Sequence, residues 1–204
     1  MANYAFTKYC VEGKKESLTK IADAINQGDG YASSAYEKLG VKYTDNGRAE
    51  WETGAVVEEK DGISVLRFTE AYPWGRGEIL EELLGELYPD EPFAIYYRSE
   101  VFEDEIHETN DEEGKYFPEK YYVHFYDKEE DLQEEYCLNE QVVVALFRQF
   151  YPEVAEYITI AQLNEQYGYE TNEDVAFVCY EIEGASGITA NTIKQIVETI
   201  MAGQ

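Results

Sequence analysis

The turn between a predicted strand and a predicted helix is a candidate for phosphate binding. Gly75, Arg76 and Gly77 lie there, which is where phosphate-binding loops occur. A dinucleotide-binding loop needs a third glycine where this chain has Leu80, and the lysine of a Walker-type loop is missing. The next residues include three acids that would repel a phosphate group: Glu78, Glu81 and Glu82. We therefore predict a plain turn here.

The acidic run from Asp104 to Glu113 invites comparison with a calcium loop. If Gly114 is placed at the sixth position of an EF-hand loop, the first position is Thr109 and the twelfth is Lys120. Both are unsuitable, because the motif needs carboxylate oxygens at these positions. A solvated charged face is the main interpretation of the run, with weak cation binding as the alternative.

The remaining reactive residue types show no catalytic or metal-binding spacing. His107 and His124 are not part of an HExxH or Cys-x-x-Cys pattern. Ser186 lacks the last glycine of a nucleophile elbow, and carboxylate pairs could be drawn almost anywhere among 43 acidic residues. We predict no catalytic residue, no metal and no cofactor. The three cysteines are odd in number and far apart, which favours reduced thiols over disulfides: Cys10, Cys137 and Cys179.

Composition describes a folded and strongly acidic protein. The 204 residues include 43 acidic and 16 basic ones, giving a net charge of −27, yet 15% are aromatic and 19 are tyrosine. Acidic disordered chains lack such aromatic content, so we expect a real core. The charge disfavours direct binding to nucleic acids and anionic lipids, and it favours basic partners or divalent cations. With neither a signal peptide nor a membrane-spanning segment in the sequence, we expect a cytoplasmic protein.

The elements that must position these residues are clearest in the first hundred residues. The strand predicted over Tyr4–Val11 precedes a helix that starts near Ser17 as its N-cap, and a short helix is predicted over 32–39. The Asp-Gly pair at 61–62 predicts a hairpin. A leucine-rich helix and a strand over 93–99 follow. The order β-α-β-β-α-β predicts an α+β, ferredoxin-like fold, with an antiparallel sheet and helices on one face.

The second half of the chain is more acidic at its start. Residues 99–136 contain 15 acids against three lysines and are predicted to form a charged hairpin that includes a strand over 121–126. Helices are predicted over 139–151 and 192–201, a strand over 175–182, and a helix followed by a loop over 153–172. We expect residues 1–126 to form the core domain with its acidic hairpin, and residues 127–204 to form an α/β extension packed on the same core.

Three segments of the chain form a recognisable pattern. Met1-Ala2-Asn3 leads into an aromatic strand ending in Gly13, the run LRFTEAYPWGRGEILEELLGELYPD follows a strand–turn–helix pattern, and FAIYYRSE ends in an acid. Together these segments resemble the YubB-like proteins. The chain departs from the family at Tyr4-Ala5, where Trp-Cys is usual, and in the turn at 72–75. The resemblance covers roughly residues 1–126 and implies a ferredoxin-like domain of phage, plasmid or bacterial origin. It implies no catalytic residue, because the family has no established reaction.

These observations favour a non-enzymatic module that binds a protein partner, a basic one being the best match, through an aromatic patch flanked by carboxylates. An acidic DNA mimic that inhibits a DNA-binding or restriction protein is the alternative. An enzyme of unknown reaction is the second alternative, which a closed pocket with a buried, charge-coupled acid or histidine would favour. The predicted interaction surface consists of five aromatic and four acidic residues: Tyr72, Trp74, Tyr96, Tyr122, Tyr126, Asp104, Glu105, Asp111 and Glu112.

Overall fold

The chain divides into two units, each of which contains both helices and strands. The computed structural model describes residues 4–44, 49–73, 75–101, 106–127, 132–151, 158–169, 178–183 and 190–203. The first unit is Met1–Glu112 and the second is Glu113–Gln204, and each unit contains a hydrophobic core of its own. The boundary expected from the sequence, between residues 126 and 127, falls inside a strand of the second unit.

The first unit is built on a six-stranded antiparallel sheet. The strand order is β2-β4-β1-β5-β6, and β3 also pairs with β4. The strands are β1 (Tyr4–Gly13), β2 (Glu50–Trp51), β3 (Val56–Lys60), β4 (Ile63–Pro73), β5 (Ala94–Val101) and β6 (Ile106–Thr109).

The predicted hairpin joins β3 to β4. Asp61 has φ of 53° and Gly62 has φ of 80°, so both turn residues are in the left-handed region. Two successive left-handed residues make the type I′ turn, whose twist matches that of the flanking strands. The Asp-Gly pair therefore sets the register that runs from Val56 opposite Arg67 to Lys60 opposite Ile63.

Three helices in the first unit share one core with the sheet. They are α1 (Lys15–Asn26), α2 (Ala32–Leu39) and α3 (Ile79–Leu87). Apolar residues at helical spacing are buried in α3, as its leucine pattern predicts: Ile79, Leu80, Leu83 and Leu84. The N-cap of α1 is Lys14 and not Ser17. Ser17 is buried in the first turn, where its hydroxyl donates to Glu91 Oε2 at 2.7 Å.

The two faces of this sheet differ in what they carry. Residues directly opposite each other in adjacent strands share a face. Tyr9 lies opposite Phe68 and Tyr97, and all three contribute to the core shared with the helices. The neighbouring residues point to the other face, where Phe6 is 47% exposed and Lys8 is exposed.

The second unit has a four-stranded sheet in the order β8-β7-β10-β9. Strand β7 pairs antiparallel with β8 and parallel with β10. Its elements are β7 (Tyr121–Asp127), β8 (Leu132–Leu138), α4 (Glu140–Phe150), α5 (Ile160–Tyr167), β9 (Gly168–Tyr169), β10 (Val178–Glu183) and α6 (Ala190–Ala202).

Side-chain caps fix the starts of two of these helices. Asn139 accepts a hydrogen bond from the backbone N–H of Val142 at the start of α4. Thr159 and Gln162 form a capping box at the start of α5. Within the segment where a helix followed by a loop was expected, α5 continues directly into β9, while residues 152–157 and 170–177 lie outside the described part of the chain.

The acidic stretch 99–136 does not form one hairpin. Its first part belongs to β5 and β6 in the sheet of the first unit, whereas β7 and β8 form a hairpin in the sheet of the second unit. The sequence prediction was wrong on this point because strand alternation does not reveal which sheet a strand joins. Among the described helices, none combines the length and the apolar character required to cross a bilayer.

Candidate functional site

The most unusual group in the first unit is a carboxyl group that solvent does not reach. Glu70 is 0% exposed. Strand alternation places it on the core side of β4, in line with Leu66 and Phe68. Three donors surround its oxygens: Trp51 Nε1 at 2.8 Å, the Gly77 backbone N–H at 3.3 Å and the Tyr9 hydroxyl at 3.4 Å. The carboxyl group therefore links three parts of the fold that are distant in sequence.

Glu70 belongs to a row of polar side chains that crosses five strands. Pairing places Thr7 opposite both Glu70 and Ser99, and the Thr7 and Ser99 hydroxyl oxygens lie 2.9 Å apart. Both hydroxyl groups are buried. The full row is Trp51, Glu70, Thr7, Ser99 and Glu108. Apolar side chains occupy most of the sheet face that packs against the helices, so this row places several polar groups together inside the core.

The guanidinium group of Arg76 lies close to the carboxylates of Glu81 and Glu108 and to the Tyr97 ring. Its Nη1 is 2.5 Å from Glu81 Oε1, and its Nε is 3.9 Å from Glu108 Oε1. Its guanidinium carbon lies 4.2 Å from the centre of the Tyr97 ring. Nη1 also donates to the Gly77 carbonyl at 3.3 Å. The positive charge of Arg76 is thus already compensated within the first unit.

Burial makes the acid–base behaviour of this group unusual. Desolvation is the largest effect on Glu70 and raises the pKa of its carboxyl group to about 7, against the lowering effect of its three hydrogen-bond donors. The pKa of Tyr9 is raised strongly by burial and then by the nearby charge of Glu70. Glu70 can therefore gain or lose a proton near neutral pH. It cannot touch a substrate in this structure, because it is completely covered.

An open cleft of about 430 Å³ lies beside the segment that Glu70 holds. Tyr72 and Ile79 form its apolar part, and the exposed acids Glu78 and Glu82 lie at its rim. The remaining lining residues are Thr44, Arg76 and Gly77.

Close packing fixes the position of the Tyr72 ring in this cleft. A Cβ atom placed on Gly77 would lie 2.8 Å from Cδ2 of that ring. Only glycine at position 77 allows this approach without a shift of the ring or the backbone. The aromatic wall of the cleft and the segment after β4 are thus packed directly against each other.

The structure places two of the predicted aromatic residues, Tyr72 and Tyr96, on opposite faces of the sheet of the first unit. Tyr72 lies at the cleft, on the core side of the sheet, opposite Ala5. Tyr96 lies opposite Cys10 and is half-buried on the other face. The sequence prediction missed this because it had no register with which to assign the two strands to a common sheet.

Two of the other residues predicted to lie on the interaction surface are buried. Tyr122 is 4% exposed and Asp111 is 2% exposed. Glu112 is exposed at the end of the first unit. Tyr126 lies in β7, but its side chain falls outside the described structure, as do residues Trp74, Asp104 and Glu105.

The described residues contain no group of three histidine, cysteine or acidic side chains that could hold a metal ion. Cys10 is buried, and burial raises the pKa of its thiol to about 11, which keeps it protonated at neutral pH. Arg67 Nη1 lies 3.1 Å from its sulfur. This environment makes Cys10 a packed core residue and not a nucleophile.

Sequence reasoning missed the residues that converge on Glu70. One signal was present, since Leu66 and Phe68 alternate along the strand predicted over 63–69, and Glu70, the next residue after that strand, continues the same alternation. The approach of Trp51 and Tyr9 depends on long-range pairing, which one sequence does not reveal. Comparisons of the chain with protein-family models, curated proteins and solved structures find no match.

Proposed function

We propose that this protein is a non-enzymatic binding module whose partner places basic side chains in the cleft beside Tyr72. The cleft combines one aromatic wall with the exposed carboxylates of Glu78 and Glu82. Among the described residues that line it, the one cation is Arg76, which is already paired with Glu81 and lies near Glu108. The partner class follows from this charge pattern: a guanidinium or ammonium group would meet exposed carboxylates and a ring face.

We also propose a ferredoxin-like fold for the first unit. In support, the strands β3, β4, β1 and β5 are adjacent in that order and all antiparallel, with α1 and α3 in the connections that this topology requires. Membership of the YubB-like family, and with it a phage, plasmid or bacterial origin, is a proposal that stands on the sequence resemblance. This architecture hosts many unrelated functions, so the fold alone does not determine the function.

The DNA-mimic alternative has less support. A mimic needs carboxylates arrayed along one exposed surface, because duplex DNA carries a charge about every 1.7 Å along its axis. In the acid-rich stretch, Asp111 and Glu100 are buried, and Glu100 lies 2.7 Å from the Arg98 guanidinium. The stretch is also divided between the sheets of two units.

The enzyme alternative meets one of its two requirements. Glu70 is a buried, charge-coupled acid. The adjoining cleft is open, however, and the carboxyl oxygens of Glu70 lie outside its lining. General acid–base catalysis needs hydrogen-bond contact with the reacting group, so this geometry supports binding better than catalysis.

Titration with a synthetic octa-arginine peptide, followed by amide chemical shifts of the isotope-labelled protein, tests the proposed site. We expect saturable shifts centred on residues 72–79 and Glu82. Tyr72→Ala should weaken binding by at least tenfold, since a central aromatic anchor contributes about 2 kcal/mol or more. Glu78→Gln combined with Glu82→Gln should weaken it further and flatten its salt dependence.

A matched control makes the same chemical changes elsewhere in the first unit. Tyr31→Ala removes a ring that is 49% exposed, and Glu37→Gln removes an exposed charge. Neither change should affect the affinity by more than about twofold. Shifts spread over every acidic surface, or equal losses in the control and cleft variants, would mean that the peptide responds to net charge alone and would overturn the proposed site.

A further inference from the structure

We infer that Tyr9, Glu70 and Gly77 form a proton-operated latch on segment 75–78, meaning a hydrogen-bond relay whose direction depends on whether Glu70 carries a proton. The segment joins β4 to α3, and Gly77 is its buried residue. Tyr9 Oη lies 3.4 Å from Glu70 Oε1 and 3.3 Å from the Gly77 carbonyl oxygen. One hydroxyl hydrogen thus has two acceptors within reach.

The two protonation states use this hydroxyl differently. When Glu70 is ionised, it accepts from Trp51 Nε1, from the Gly77 N–H and from the Tyr9 hydroxyl, which then does not donate to the Gly77 carbonyl. When Glu70 takes a proton from water on Oε1, that O–H can donate to Tyr9 Oη. The Tyr9 hydroxyl then turns to the Gly77 carbonyl oxygen. In both states the groups remain hydrogen-bonded, which is the condition for a buried polar network with two arrangements.

Charged groups around Glu70 affect the equilibrium between its protonated and ionised forms. From α3, the negative charge of Glu81 disfavours the ionised form of Glu70. From segment 75–78, Arg76 Nη1 contacts both Glu81 Oε1 and the Gly77 carbonyl. Strand β6 contributes Glu108 near Arg76, whereas the β1, β2 and β5 side chains that face the network are neutral: Thr7, Tyr9, Trp51, Tyr97 and Ser99.

The pKa of Glu70, raised to about 7 by burial, places both protonation states within the neutral pH range. Segment 75–78 contributes Arg76, Gly77 and Glu78 to the cleft. If the cleft binds a basic partner as proposed, the latch changes the hydrogen bonding of one wall of the cleft, and this consequence rests on the proposed function. The latch itself does not, because it acts in the free protein.

The test is nuclear magnetic resonance of the free, ¹³C,¹⁵N-labelled protein between pH 5.5 and 8.5. We expect the Trp51 indole N–H and the Gly77 carbonyl carbon to change chemical shift with one common midpoint near pH 7. Trp51→Phe identifies the indole signal by removing it. Glu70→Gln, which cannot titrate, should flatten both curves, while Glu50→Gln at an exposed site on β2 should leave both unchanged.

The variant Tyr9→Phe distinguishes two explanations of the Gly77 response: a change transmitted through the Tyr9 hydroxyl, and a direct effect of the nearby charge of Glu70. It should leave the inflection of the Trp51 indole signal in place and reduce the inflection of the Gly77 carbonyl carbon by at least half. Curves without an inflection in the unmodified protein, curves that persist in Glu70→Gln, or a Gly77 carbonyl response unaffected by Tyr9→Phe would each overturn the latch. Because no peptide is present, these results are independent of whether the cleft binds its proposed partner.

Discussion

Glu70 shows how one buried residue can combine structural and acid–base roles. Its three hydrogen-bond donors come from β1, β2 and the segment before α3, so its carboxyl group ties together elements that are far apart in the chain. Burial of an ionised carboxylate is costly, and the three donors offset part of that cost. The balance leaves the pKa of Glu70 near 7, and this has a direct effect on stability.

Glu70→Gln should change how stability depends on pH. Since the pKa of Glu70 is raised from 4.5 to about 7 by folding, the folded state binds its proton more tightly than the unfolded chain. The contribution of Glu70 is therefore fully present below about pH 4.5 and is lost as the pH rises to 7, by up to about 3 kcal/mol. We expect the free energy of unfolding of the variant, measured in urea from pH 5 to 8, to fall less steeply. Parallel profiles would contradict this.

Gly77→Ala should destabilise the first unit and displace Tyr72. The new Cβ atom would lie 2.8 Å from Cδ2 and 3.0 Å from Cε2 of the Tyr72 ring, so the ring or the backbone must move. Overpacking of this kind costs about 1–3 kcal/mol. Urea unfolding measures the loss, and the double variant Gly77→Ala with Tyr72→Ala should recover part of it. No recovery would show that the strain lies elsewhere.

At the scale of elements, the sequence predicted the features that depend on neighbouring residues, but it did not predict those that depend on the pairing of distant strands. The leucine spacing of α3 and the Asp61-Gly62 turn depend on neighbours in sequence, and the structure confirms both. Glu70, in contrast, becomes unusual only when β1, β2 and β4 are paired. The assignment of β7 to a second sheet could not be predicted for the same reason, because alternation defines a strand but not its partner.

Gly62→Ala should destabilise the β3–β4 hairpin by about 1 kcal/mol, since Gly62 has φ of 80° and alanine is strained in that region. An added Cβ atom would meet no described atom within 4 Å, so the cost is one of backbone conformation alone. Gly85→Ala is the matched control, because Gly85 is an exposed helical residue of α3 with equally open surroundings. Alanine there should stabilise by about 0.5–1 kcal/mol. Urea unfolding of both variants should therefore show opposite signs, and equal signs would contradict the turn geometry.

At the scale of the whole molecule, the main electrostatic feature is the excess of acidic over basic residues. With 43 acidic and 16 basic residues, the folded chain must tolerate considerable repulsion among its carboxylates. Some of these charges are paired, as at Arg76 with Glu81 and Lys14 with Glu91. The excess of acids over bases means that pairing cannot compensate for most of them.

Raising the salt concentration should therefore stabilise the protein at pH 7.5. Between about 0.02 and 0.5 M sodium chloride, screening reduces repulsion between exposed carboxylates. Each kcal/mol gained should raise the melting temperature by about 2–4 °C for a chain of this size. Calorimetry at pH 5, closer to the isoelectric point of about 4.2, should show a smaller rise. An equal rise at both pH values would indicate a salt effect other than charge screening.

The separate cores of the two units have a consequence for how this chain can change over generations. The core cluster of Met1–Glu112 and that of Glu113–Gln204 have no residue in common. A mutation that repacks one cluster leaves the composition of the other untouched, so natural selection can act on the two clusters separately. Genetic recombination near codon 113 would therefore pass on each of these two clusters whole.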